Sequence, residues 1–200
     1  MSAARDEILA RTRAAIGSGR APSPAVRSYR TAGTLDAAAR LALLCDRLLD
    51  YRARVEHDLG RVLEELGKAA RIGVPPGLPA AWRPRNAVED QGLSASELDA
   101  LDGVVTGCTV AIAETGTLVL AGGPAEGRRA LTLVPDLHLC VVRTDQVVET
   151  VPEAFAALRG LERRPLTFVS GPSATSDIEL KRVEGVHGPR RLIVVIVDGA

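Results

Sequence analysis

At residues 192–198 the chain reads LIVVIVD, an apolar run without polar alternation before its final aspartate. A strand with one solvated face alternates polar and apolar residues, whereas a strand of a parallel sheet is covered on both faces. Similar runs occur at 104–113, 117–123 and 137–142. With helical segments between them, the runs predict an α/β fold with a largely parallel, buried sheet and added antiparallel strands. The run LTFVS at 166–170 and LIVVIVD are predicted to complete this sheet.

The helices are predicted from apolar spacing and from residues that favour helix starts. Thr34 is a good N-cap for a helix over about 35–49, and Ser94 and Glu97 have the spacing of a capping box. Further helices are predicted at 3–16, 59–70 and 150–161. The stretch LTLVPDLHLCVV, residues 131–142, is predicted to form one or two strands.

The segment 17–33 interrupts this periodicity with glycine, proline, serine and three arginines. It is interpreted as an arm that is either disordered or lies on a partner. The sequence thus predicts an N-terminal helix and flexible arm over 1–33, followed by a single α/β domain over 34–200.

Composition excludes several classes of function. Lys+Arg and Asp+Glu balance at 25 each, so no overall field attracts the chain to nucleic acid or anionic membranes. Aromatic residues make up only 2%, too few for the stacking platforms of a single-stranded nucleic-acid binder. No run approaches the roughly 18–20 apolar residues that span a bilayer, and acids stand where a signal peptide would be apolar. A cytoplasmic protein is predicted.

The three cysteines, Cys45, Cys108 and Cys140, are far apart and none lies in a CxxC pair. A disulfide framework or a structural metal site is therefore not expected, and an iron–sulfur cluster normally needs four thiolates. Cys108 and Cys140 lie in apolar runs and are predicted to be small buried side chains. The phosphate-loop, dinucleotide, zinc-protease and hydrolase motifs are all absent from the sequence.

The first candidate site is AIAETGTLVL, residues 111–120. Gly116 supplies the backbone freedom of a tight turn, so the stretch fits a hairpin tip. It also displays Glu114, Thr115 and Thr117 at the end of a sheet, where α/β proteins bind ligands, and Glu114 is a candidate nucleophile or base.

The second candidate site follows the run LTFVS. Gly171 and a hydroxyl cluster of Ser173, Thr175 and Ser176 precede a predicted helix start, an arrangement that offers N–H groups to an anion. Ser176 and Glu179 have capping-box spacing, and Asp177 already places negative charge there. The turn therefore either binds a small anionic ligand or is occupied by its own acids.

Three histidines complete the candidates. His187 lies in GVHGP, between Gly185 and Gly188, where a loop imidazole that titrates near neutrality can reach a ligand. His138 is predicted to be a satisfied core or rim histidine, and His57 to be solvated.

Three stretches resemble the lactate-utilisation protein C family, whose members carry the LUD domain. They are GCTVAIAETGTLVL at 107–120, VPDLHLCVV at 134–142 and SGPSATSDIELKRVEGVHGP at 170–189. The matching words span about residues 103–197, roughly half of the chain.

The resemblance implies a Rossmann-like sheet of the kind shared by CoA transferases and ribose-phosphate isomerases. It also implies action with two iron–sulfur partner subunits in the oxidation of L-lactate to pyruvate, with no cofactor on this chain. It assigns no catalytic role to a particular residue.

Two hypotheses remain open from the sequence. In one, the chain is a substrate-organising or assembly subunit of a lactate oxidation complex. In the other, it is a stand-alone enzyme of the CoA-transferase or sugar-phosphate isomerase type, with Glu114 as nucleophile or base.

Overall fold

The computed structural model describes residues 3–17, 28–67, 71–161, 163–172, 174–175, 183–184 and 188–199. In chain order its helices are α1 Ala3–Ile16, α2 Ala37–Asp50, α3 Leu59–Leu66, α4 Ala95–Asp99, α5 Arg129–Leu133 and α6 Val151–Ala157. The strands are β1 Arg54–Glu56, β2 Ile72–Val74, β3 Ala87–Glu89, β4 Gly103–Gly107, β5 Val110–Ile112, β6 Thr117–Leu120, β7 Leu137–Arg143, β8 Val147–Val148, β9 Thr167–Val169, β10 Ala174–Thr175, β11 Val183–Glu184 and β12 Arg191–Val197. Short 3₁₀ helices occupy Ala80–Trp82 and Thr144–Gln146.

The main sheet has six strands in the order β1-β12-β7-β4-β2-β3, and every neighbouring pair is parallel. β7 and β12 are the long central strands, and they pair along seven residues from Arg191↔Leu137 to Val197↔Arg143. The largely parallel α/β sheet predicted from the apolar runs is confirmed.

Burial on both faces explains the sequence LIVVIVD. Val194 and Ile196 pack on one side of the sheet with Leu44 and Leu48 of α2. Ile193 and Val195 alternate with them and join a second cluster on the other side, with the helix α3. Each buried aliphatic side chain contributes about 2 kcal/mol, so β12 is stabilised from both faces.

A second, mixed sheet of four strands has the order β8-β5-β6-β9. β5 and β6 form the predicted hairpin around Gly116, and β9 pairs antiparallel with β6. The prediction that LTFVS completes the same sheet as LIVVIVD is therefore wrong, because β9 is hydrogen-bonded to β6. The helix α6 covers this second sheet with Ala154 and Leu158.

The structure differs from one local prediction and decides another that was left open. The N-cap of α2 is Asp36, whose side chain accepts from the Ala39 N–H, and not Thr34. The Thr34 N–H instead donates to Glu149. The stretch LTLVPDLHLCVV, predicted to form one or two strands, contributes one, β7, because its first residues up to Leu133 belong to α5. Its Leu131 is buried against the neighbouring helix α4, which begins at the predicted Ser94–Glu97 capping box.

The helix α1 forms over the predicted range, and none of its residues is buried. Residues 18–27 of the predicted arm lie outside the described residues. Within the described ranges, no helix has the length and apolarity needed to cross a membrane.

His138 lies in β7 at the centre of the main sheet and is 1% exposed. Its Nε2 is 2.8 Å from the Thr106 hydroxyl oxygen of the adjacent strand β4, with which it is hydrogen-bonded. Burial lowers the pKa of His138 from 6.5 to about 4, so the ring is neutral at pH 7. The prediction of a satisfied core histidine is confirmed, and His57 is exposed as predicted.

We expect acid to destabilise the fold through His138. Between pH 6.5 and about 4 the unfolded chain protonates this histidine and the folded chain does not. The unfolded state therefore binds more protons. As the pH is lowered through this range, the free energy of unfolding decreases by up to about 3 kcal/mol.

Urea titrations across this pH range measure the effect. His138→Gln should weaken the pH dependence of the unfolding free energy, whereas the exposed control His57→Gln should leave it unchanged. A pH dependence in His138→Gln as steep as that of the unsubstituted protein would contradict the assignment.

Candidate functional site

The ETGT turn joins β5 to β6 and is pressed against the helix α2. Gly116 has a φ of 57°, in the left-handed region that favours glycine. A Cβ at this position would lie 2.8 Å from the Arg47 Cβ and 3.1 Å from the Arg47 carbonyl carbon. Both the turn conformation and the close approach of the helix therefore require glycine.

Hydroxyl groups connect the two candidate motifs. The Thr115 hydroxyl donates to the Thr117 hydroxyl oxygen at 2.7 Å, and Thr117 and Ser170 are hydrogen-bonded through their hydroxyls at 2.8 Å. The antiparallel pairing of β6 with β9, with Leu118 opposite Val169, brings the motifs together. Ser170 was not predicted as a site residue; its only sequence signal is its position directly before Gly171.

Gly171 repeats the contact seen at Gly116. Its φ is 82°, and a Cβ there would lie 2.6 Å from the Cβ of Tyr51, the residue that ends α2. Two turns from separate motifs thus rest on one helix. The structure therefore places the turn of Thr115, Gly116 and Thr117 beside Gly171, with both turns in contact with α2.

The Glu114 carboxylate is not free. It forms an ion pair with Arg30, which also donates to the Glu149 carboxylate at 2.7 Å. The Glu114 N–H in turn donates to the Glu149 carbonyl oxygen at 3.1 Å. An arginine from the arm therefore joins the predicted site carboxylate to a second one, which sequence reasoning missed.

Glu149 holds the chain segment before α2 through backbone contacts. Its carboxylate is 3% exposed and accepts from the N–H groups of Thr34 and Leu35, at 2.7 and 2.6 Å. The hydrogen bond from Leu35 lowers the pKa of Glu149, and Arg30 and Thr34 lower it further. Glu149 is therefore a carboxylate at neutral pH, with its charge compensated inside the protein.

The neighbouring acid Glu153 extends this contact. It accepts from the Gly33 N–H at 2.9 Å and from the N–H groups of Glu149 and Thr150. A Cβ at Gly33 would overlap the Glu149 carboxylate, at 2.2 Å from its Oε2. Residues 30–35 therefore lie against acids of this same chain.

A cavity of about 250 Å³ opens beside the second motif, and we call it the motif cavity. Its floor includes the neutral His138, and Ser170 and Gly171 form part of its wall. It is lined by Thr132, Leu133, His138, residues 167–172, Gly188 and Pro189. Glu114 is not among these lining residues. The cavity offers hydroxyls to a small polar ligand, and the imidazole in its lining is uncharged and already hydrogen-bonded to Thr106.

Several predicted site residues lie outside the described residues, namely Ser173, Ser176, Asp177 and His187. The predicted helix start near Ser176 and its capping box with Glu179 lie there too. Thr175 belongs to β10, which pairs antiparallel with β11 in a two-stranded ladder. The anion-binding role of this turn stays a prediction.

We expect Glu149→Gln to loosen the segment at residues 33–35. The substitution removes the charge that Arg30 and two N–H groups share, and a hydrogen bond to a charged group contributes about 1.5–3 kcal/mol. Hydrogen exchange at Thr34 and Leu35 should accelerate by roughly tenfold or more. Asp136→Asn, which removes the separate ion pair with Arg190, is the control. Unchanged protection in Glu149→Gln would contradict this role.

Gly171→Ala should lower the free energy of unfolding by about 1–3 kcal/mol more than Gly160→Ala. The two glycines have similar φ values of 82° and 86°, but nothing lies within 4 Å of a Cβ built at Gly160. Chemical denaturation of both variants separates backbone strain from the clash with Tyr51. Equal losses would show that the contact with α2 does not constrain the motif.

Comparison with known proteins assigns the chain to a family. The LUD domain family model matches residues 79–197. A lactate utilization protein C from Deinococcus radiodurans is 48% identical over 204 aligned residues, which cover 97% of this chain and 95% of that protein. An uncharacterized protein YkgG from Escherichia coli is 33% identical, over 78% of this chain and 66% of that protein.

A solved structure shares the fold. The crystal structure of a DUF162 family protein from Deinococcus radiodurans superposes with a TM-score of 0.72 and is 45% identical. The match covers 82% of this chain and 99% of that one. The predicted resemblance is therefore confirmed, and this chain belongs to the LUD domain family.

Proposed function

We propose that this chain is a subunit of a lactate-utilisation system that oxidises L-lactate to pyruvate with iron–sulfur partner proteins. The observation that carries the proposal is the 48% identity, over nearly the full chain, to a protein named lactate utilization protein C. Shorter matches to proteins of the same name, from Bacillus pumilus and Shouchella clausii, are 34% and 31% identical.

The reaction requires an electron acceptor outside this chain. Conversion of the hydroxyl-bearing carbon of lactate to a ketone releases two electrons and two protons. No group of three or more His, Cys, Asp or Glu within the described residues has the geometry of a metal site. The contact with Cys140 and burial hold the pKa of Cys108 well above its usual range, and burial raises that of Cys45. An iron–sulfur cluster normally needs four thiolates and the chain has three cysteines, so we assign the cluster to the partners.

The motif cavity supports a substrate-organising role. Its exposed Ser170 hydroxyl can position an alcohol or a carbonyl group, and the neutral, hydrogen-bonded His138 adds no charge to the lining. Its volume of about 250 Å³ is sufficient for a small hydroxy acid.

An exposed aromatic pair supports docking to a partner. The sequence contains only two phenylalanines, and both Phe155 and Phe168 lie on the surface, 55% and 47% exposed. Their ring centroids are 6.2 Å apart, one on α6 and the other on β9. Exposed aromatics are enriched at the centres of protein interfaces, and Phe168 also lines the motif cavity. A partner docked here would contact the wall of that cavity.

A stand-alone enzyme that used Glu114 as nucleophile or base would need that carboxylate available. The carboxylate is instead held in an ion pair with Arg30, a contact that a reaction at this group would have to break. The described geometry therefore favours the subunit over the stand-alone enzyme.

Reconstitution tests the proposal. This chain, purified with two iron–sulfur partner proteins, should support lactate-dependent reduction of a dye, and the partners alone should not. Phe155→Ser with Phe168→Ser should weaken assembly by tenfold or more, at about 1.4 kcal/mol per tenfold. Leu49→Ser, which removes an exposed apolar side chain elsewhere, is the matched control. Equal dye reduction without this chain would contradict the proposal.

A further inference from the structure

A second cavity lies at the start of the strand β9, between residues 120–132 and 164–167, and we call it the arginine cavity. Its volume is about 380 Å³, within the usual range for ligand pockets. Its walls carry three arginines, Arg128, Arg129 and Arg164, and one acid, Glu126. Neither of the two candidate motifs, at residues 111–120 and 171–176, includes these residues.

The arginines differ in how they are engaged. Arg128 donates to both carboxylate oxygens of Asp90, so its charge is compensated. Arg129 and Arg164 are exposed, and neither forms an ion pair with any residue that the structure describes. Two guanidinium groups at one cavity thus lack a protein counter-charge.

The acid in this cavity does not supply that counter-charge. Glu126 is 5% exposed, and its carboxylate accepts from the N–H groups of Ala121 and Gly123 and from the Thr109 hydroxyl. These donors engage both of its oxygens, and it forms no ion pair with the three arginines. The cavity therefore presents an excess of positive charge to a ligand.

Two guanidinium groups indicate a phosphate group in preference to a single carboxylate. Each guanidinium can donate two parallel hydrogen bonds to phosphate oxygens, and a phosphate dianion matches two positive charges. The backbone at Gly122, with a φ of 64°, leaves that wall without a side chain. A bulky tetrahedral anion can approach it closely.

The arginine cavity adjoins the motif cavity. Thr132 of α5 and Thr167 of β9 line both of them. A ligand whose phosphate lies at Arg129 and Arg164 can therefore extend past these threonines toward Ser170 and His138. The groove is basic at one end and uncharged at the other.

We propose that the arginine cavity binds the phosphate of an extended phosphorylated organic ligand, whose remainder lies in the motif cavity. The motif cavity is also the place proposed for lactate, so only the arginine end is independent of the proposed function, and that end is tested on the full chain without partners. The chemistry is shared by inorganic pyrophosphate and by organic diphosphates, so both are used as probes.

Calorimetric titration with inorganic pyrophosphate tests the basic end. Arg129→Ala and Arg164→Ala should each weaken binding by about tenfold or more, as expected for loss of a charged, bidentate contact. Arg163→Ala is the matched control, because Arg163 is an exposed neighbour that does not line the cavity. Absence of pyrophosphate binding, or an equal loss in Arg163→Ala, would overturn the proposal. Circular dichroism of each variant checks that it is folded.

A second titration tests whether the two cavities form one groove. Thr167→Phe narrows their junction, and adenosine diphosphate serves as the extended probe. The substitution should weaken the binding of adenosine diphosphate at least tenfold more than it weakens the binding of inorganic pyrophosphate. Unchanged binding of adenosine diphosphate would overturn the shared groove. L-Lactate titrated into Arg164→Ala should behave as with the unsubstituted protein, which separates this site from the proposed function.

Discussion

The parallel pairing of β7 with β12, buried on both faces, is the constraint on which the rest of the structure depends. Backbone polar groups in such strands have no water, so each must be paired along the sheet. The side chains on both faces of the sheet must also be covered by other elements. α2 covers one face and α3 covers the other. Burial keeps His138, the one histidine in these two strands, neutral, and Thr106 satisfies its ring with a hydrogen bond.

The second sheet holds the candidate site beside the main sheet. Its hairpin and β9 place the ETGT turn beside Ser170, while α2 supports both from the main sheet. Glu149 then fixes the segment that leads into α2 by accepting from backbone N–H groups. Glu149, Arg30 and α2 are therefore joined in one network of contacts, which restricts the positions of the site residues.

Much of this could be predicted from local pattern. The continuous apolar run of β12 indicates burial on both faces, and the glycine of ETGT indicates a turn. The placement of LTFVS could not be predicted, because apolarity indicates a strand without indicating which strand it pairs with. Thr34 has the chemistry of an N-cap, but its N–H is taken by an acid 115 residues away along the chain. The local sequence does not indicate the partners of Arg30 and Ser170, so only the tertiary structure shows their contacts.

The two motif glycines have a mechanical consequence. Because no side chain lies between either turn and α2, the helix surface itself sets the position of both turns. A displacement of α2 along its axis would move Arg47 and Tyr51 together, and the two turns would have to follow. A molecule that displaced this helix on binding would therefore displace the two turns and their hydroxyl cluster as well, because close-packed contacts transmit strain.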